Sequence, residues 1–113
     1  MPIFLYLDDP ADVDDLESLT GSLRAWAEPL PGISWVDNAD HPRRGGHELG
    51  IEFEPRRAAD LKAPLNFLYS LARRHGCDFV VGRRDSDALE DVCYFGAEEG
   101  RPDMFEVASY LGL

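Results

Sequence analysis

The residues best placed to do chemistry stand near the start of the chain, where five apolar residues, Ile3 to Leu7, run directly into Asp8 and Asp9. A strand that delivers two carboxylates to its end suits Mg²⁺ binding or phosphoryl acceptance, because paired carboxylates supply hard anionic oxygens. These two open a run of six acids in ten residues, continued by Asp12, Asp14, Asp15 and Glu17 with no basic residue among them. Two structural roles compete with catalysis. Asp and Pro at a helix start satisfy free amides and complement the helix dipole, and a solvated helix face tolerates several like charges. The third role is a negative field that attracts a basic partner. Capping needs only one or two acids, so the size of the cluster favours an acidic binding face over a catalytic centre.

The stretch LYLDDP resembles the first strand of bacterial response-regulator receiver domains, whose acid pair helps to hold Mg²⁺. That resemblance implies a phosphoacceptor aspartate closing a later apolar strand and a lysine near the end of the fifth. The single lysine, Lys62, instead stands at the start of the second helix, and strands two and three do not end in an aspartate after an apolar run of the right kind. His41 and His47 flank PRRGG without a second ligand pair of useful spacing. Asp85, Asp87, Glu90 and Asp91 lack the central glycine and closing glutamate of a calcium loop. Gly45 and Gly46 are not followed by the helix that a phosphate cradle requires, and no serine stands in a GxSxG elbow. Cys77 and Cys93 lie in the apolar runs CDFVVG and DVCYFG, outside any CxxC spacing, and are expected to be reduced, buried side chains. No metal, cofactor or catalytic set is expected.

These candidates must be positioned by a small domain. At 113 residues the chain buries roughly two-thirds of its unfolded surface, enough for one domain. Its 44% apolar content is too high for disorder despite a net charge of −11. The N-terminal apolar run is too short for a signal or a membrane span, which points to the cytoplasm. A strand is expected at Ile3 to Leu7. Val13, Leu16, Leu19, Leu23 and Trp26 then recur at helical spacing, and Pro29 and Pro31 stop that helix near Glu28. A second strand is expected at Ile33 to Val36, with 37–47 as an exposed loop or a hairpin end.

The third strand alternates Leu49, Ile51 and Phe53 with Glu48, Gly50, Glu52 and Glu54, giving one apolar face and one acidic face turned to water or a partner. A second helix, about Asp60 to His75, ends in Arg73, Arg74 and His75 before Gly76. Strands at Phe79 to Gly82 and Val92 to Gly96 are joined by the polar RRDSDALED, and a last helix begins at Pro102. The order β-α-β-β-α-β-β-α implies an α+β domain over 1–113. It has a mainly antiparallel sheet with helices packed on it, and a ferredoxin-like arrangement is compatible.

In size, charge and element order the chain resembles the immunity proteins of bacterial polymorphic and contact-dependent toxin systems, and CYFGAEEGRPDMFEVASYLGL is the least generic part of the likeness. The resemblance implies a non-enzymatic, stoichiometric inhibitor whose carboxylates meet the cationic cleft of a cognate toxin. The residues expected at that interface are Asp8, Asp9, Asp12, Asp14, Asp15, Glu48, Glu52, Glu54, Glu98 and Glu99, with Asp103 nearby and Trp35, Tyr94 and Phe95 as aromatic anchors. The alternative is a small-metabolite-binding or regulatory α+β domain. A homodimer is compatible with either. Nucleic acid is not an expected partner at this charge, because the backbone term would be repulsive.

Overall fold

Five apolar or aromatic residues in succession cannot leave one face in water, and the first strand, β1 (Ile3–Leu7), is buried along its whole length. In the computed structural model, which describes residues 1–39, 47–85 and 88–113 and only the backbone of Asp12, β1 is the central strand of a five-stranded sheet. The others are β2 (Ser34–Asn38), β3 (Glu48–Phe53), β4 (Asp78–Asp85) and β5 (Ala88–Gly96), in the order β2-β3-β1-β4-β5 with every pair antiparallel. Three helices complete the domain: α1 (Leu16–Ala27), α2 (Lys62–His75) and α3 (Met104–Leu111). The α+β class and the order β-α-β-β-α-β-β-α are those expected from the sequence. Because β1 lies between β3 and β4, each β-α-β crossover passes over one strand. This is the split βαβ arrangement, extended by β5 outside β4.

The main core lies between the sheet and the helices. Ile3, Leu5, Leu7, Leu49, Ile51, Phe79, Val81 and Phe95 meet Leu19 and Leu23 of α1, Leu65, Leu68 and Leu71 of α2, and Val107 and Leu111 of α3. A smaller cluster of Phe4, Tyr6 and Val80 occupies the opposite sheet face, with Val36 and Leu89 packed against it. The radius of gyration, 12.8 Å, is close to the roughly 13 Å of a compact domain of this length.

Local end signals account for most boundaries. Asp15 caps α1 by accepting from Ser18 N at 3.1 Å, after a short 3-10 turn at Pro10–Asp12. Asp103 caps α3, accepting from Phe105 N and Glu106 N, so Pro102 lies just outside the helix rather than opening it. The larger difference concerns RRDSDALED. Its two ends are not a connection but extend the strands, Arg83–Asp85 in β4 and Ala88–Asp91 in β5. Antiparallel pairing needs backbone groups rather than apolar side chains, and the cross-strand pair Arg83–Glu90, 3.2 Å, supports it. His41, Arg43, Arg44, Gly45, Gly46 and Asp87 lie outside the described residues.

Two glycines separate dihedral cost from steric cost. Gly76, at the end of α2, has φ 66° and ψ 40°, and a Cβ there would meet nothing within 4 Å. Gly50 lies so close to β1 that a Cβ would overlap the Leu5 carbonyl oxygen. Gly76→Val should therefore cost about 1 kcal/mol or more, and Gly76→Asn less, because asparagine tolerates the left-handed region. Gly50→Ala should cost more than Gly76→Val, since two central strands must separate. Urea denaturation of the three variants checks the order.

Candidate functional site

Strand β1 ends beside the start of β4, where Asp8 N donates to Asp78 O at 3.0 Å, and β5 ends at the same edge with Gly96 opposite Asp78. A cleft of about 240 Å³ opens there, lined by Asp8, Asp9, Gly76, Cys77, Asp78 and Glu98. The sheet thus brings Asp8 and Asp9 together with Glu98 from the far end of the chain. The turn that carries Glu98 and Glu99 is closed by Gly96 and Gly100, which exchange backbone bonds of 2.9 and 2.8 Å. Asp78 Oδ1 accepts from Glu98 N and Glu99 N, each at 3.1 Å. That carboxylate is spent on the turn, while the Glu98 and Glu99 side chains stay exposed.

Around the cleft, capping and surface charge come from the same residues. Asp9 caps the 3-10 turn by accepting from Ala11 N, and Asp15 caps α1, yet both are exposed, as are Asp14 and Glu17. The short connection over 8–15 keeps them at the same end of the sheet as Asp8. The positive end of the α1 dipole offsets only part of this charge.

Glu48, Glu52 and Glu54 do not belong to this surface. Glu48 is 3% exposed and Glu52 half-buried, so the expected acidic, water-facing side of β3 is corrected. The reason lies on β4. Arg84 donates through Nε to Glu52 and through Nη2 to Tyr6 Oη at 3.0 Å, and it stands 3.8 Å from Glu48 Oε2. Burial opposes the charge on Arg84, but its bonds to Tyr6 and Glu52 outweigh that and hold its pKa above the ordinary value. Burial also pushes the Tyr6 hydroxyl well above the ordinary tyrosine value. Glu54, at the opposite end of the sheet, accepts from the N-terminal ammonium at 2.7 Å, which lowers its pKa.

Among the expected anchors, Phe95 is 1% exposed and stacks on Phe79 in the core, so it cannot reach a partner. Trp35 is half-buried against the same core, whereas Tyr94 is 43% exposed. Among the described residues, no helix is long and apolar enough to cross a membrane, and no three His, Cys, Asp or Glu residues are grouped to hold a metal. Sequence reasoning missed Asp78, Arg84 and Tyr6 as organisers. An aspartate opening an apolar run and an arginine in a polar one carry no local signal of such roles. No family model, curated protein or solved structure matches this chain.

Two outcomes are expected. Burial pushes both thiols to about 11, with Asp78 adding to the effect at Cys77 and Glu106 at Cys93. Both therefore remain protonated at pH 8, and iodoacetamide should label them slowly in the native protein and rapidly in urea. Arg84→Gln leaves Glu48 and Glu52 beside each other without a cation. The Arg84 side chain is 32% exposed, so the loss should be about 2 kcal/mol rather than the roughly 3–5 kcal/mol of a fully buried pair, as measured by chemical denaturation.

Proposed function

We propose that this chain is a protein-binding module whose acidic end docks on a basic surface and, more narrowly, that it acts as an immunity protein covering the cationic cleft of a bacterial toxin. The observation that supports this reading is the convergence of Asp8, Asp9 and Glu98 on one cleft, with exposed Asp14, Asp15 and Glu99 at the same end. Clustered carboxylates at the rim of a rigid sheet create a directional field. Such fields raise encounter rates with a cationic surface and disfavour acidic competitors. The carboxylates are carried by short, hydrogen-bonded connections rather than long arms, so little entropy is lost when they are held against a partner.

A second reading, a small-metabolite-binding domain, is favoured by an apolar groove of about 350 Å³ at the opposite end. Leu30, Ile33, Phe53, Pro55 and Pro64 contribute its walls. That volume is at the lower end of ligand sites.

The docking reading is tested with the protein encoded beside this chain's gene, by stopped-flow association across a salt series. Asp8, Asp9, Asp14 and Asp15 are changed to Asn and Glu98 to Gln. Asparagine is also a good cap, so the melting temperature should hardly change. The association rate at low salt should fall about tenfold and its salt dependence should flatten. A parental rate in the substituted chain, or no complex with the neighbouring protein, overturns the reading.

A further inference from the structure

We propose that Tyr69, Arg73 and Arg101 form a binding site for a phosphate dianion, independent of the acidic docking surface. Tyr69 and Arg73 stand one turn apart on α2, and the segment between β5 and α3 brings Arg101 to the same ring. The Arg101 Cζ lies 5.0 Å from the Tyr69 ring centre and the Arg73 Cζ 5.9 Å, while Arg73 Nη1 donates to Tyr69 Oη at 3.1 Å. One half-buried tyrosine therefore gathers two exposed guanidiniums from separate parts of the chain.

Arg73 and Arg101 share the lack of an ion pair with Arg56 and Arg74 among the described residues, and what sets them apart is that both lie against one ring. With 22 acidic and 11 basic residues, a carboxylate is easily found, and Arg24, Arg57, Arg83 and Arg84 each pair with one. Among the described residues, neither Arg73 nor Arg101 forms an ion pair, even though Glu98 and Glu99 share a loop with Arg101. The turn held by Asp78 fixes the backbone of those glutamates. A guanidinium resting on an aromatic face keeps its in-plane N–H groups available, so the ring orients Arg101 without using its donors. Arg73 spends one donor on the tyrosine hydroxyl, and its side chain is exposed.

Two forks held near one ring suit a tetrahedral dianion better than a carboxylate. A carboxylate presents two oxygens in one plane, whereas a phosphate dianion carries twice the charge and has oxygens facing both forks. Cations already positioned on the ring lose less freedom on capture. The net charge of −11 repels anions at long range, so these local contacts are what hold the phosphate.

The test is a titration of the full chain at pH 8, followed by ¹H–¹⁵N spectra, with inorganic phosphate and then methyl phosphate, ionic strength being held constant with chloride. Saturable shifts are expected at the amides of 69–74 and of Gly100, Arg101 and Asp103. Arg73→Gln and Arg101→Gln should each weaken binding about tenfold, equivalent to roughly 1.4 kcal/mol. Tyr69→Phe, which keeps the ring and releases Arg73, should weaken it less. Equal affinity for the two ligands identifies the free dianion as sufficient, and tighter binding of methyl phosphate assigns the site to a monoester. Shifts reproduced by chloride alone, or saturation of the doubly substituted chain at the parental concentration, overturn the proposal.

Discussion

The structure depends on keeping β1 dry on both faces while its one polar side-chain group remains hydrogen-bonded. Ile3, Leu5 and Leu7 meet the helices, and Phe4 and Tyr6 point the other way into a second buried cluster. A phenol there needs a partner, since an unpaired buried hydroxyl costs roughly 1–3 kcal/mol. Arg84 supplies it from β4 and reaches on to Glu52 and Glu48 of β3. One guanidinium thus links the central strand to both its neighbours. Removing three charged groups from water is costly, and the arrangement is tolerable because each charge faces an opposite one. The register of β3, β1 and β4 is tied to this contact, because a slip of one residue would turn Glu48 and Glu52 into the helix-side core.

The surface available for binding follows from that arrangement. The carboxylates of β3 are committed to Arg84, and Glu54 to the N-terminal ammonium, so these acids add little field. The exposed Asp9, Asp14, Asp15, Glu98 and Glu99 collect where β1, β4 and β5 meet and where the chain turns into α1. Connections must begin with caps, and Asp is a favoured cap. A strand end and a helix start placed together therefore gather negative charge for structural reasons before any partner is involved. The proposed docking function uses the same residues that close the local turns.

Charge on this molecule is distributed by contact rather than by composition. Arg73 and Arg101 lie close in sequence to the acidic cleft, on either side of residues that line it, yet they rest on Tyr69 instead of neutralising it. The aromatic ring is the reason. It carries Arg101 over its face and Arg73 on its hydroxyl, away from carboxylates whose backbone is fixed elsewhere. The result is an acidic cleft and a small cationic patch near the same end of the sheet, each with its own chemistry.

Much of the fold was legible in the residues themselves. The burial of β1, the amphipathic runs of α1 and α2, the stop at Gly76 and the alternation in β3 follow from local periodicity and end chemistry, which act over a few residues and need no knowledge of the rest of the chain. The polar ends of β4 and β5 were not legible, because there the partner strand's backbone supplies what the side chains do not announce. Nor could sequence alone sort the acids. Glu48 and Glu52 looked as available as Asp9 or Glu98, and the difference rests on contacts spanning 78 residues from Tyr6 to Arg84, 32 from Glu52 to Arg84 and 20 from Asp78 to Glu98. Element type and apolar faces are properties of short windows, so the sequence by itself determined them. Which charges remain in water depends on long-range strand pairing, and only the tertiary structure decided that.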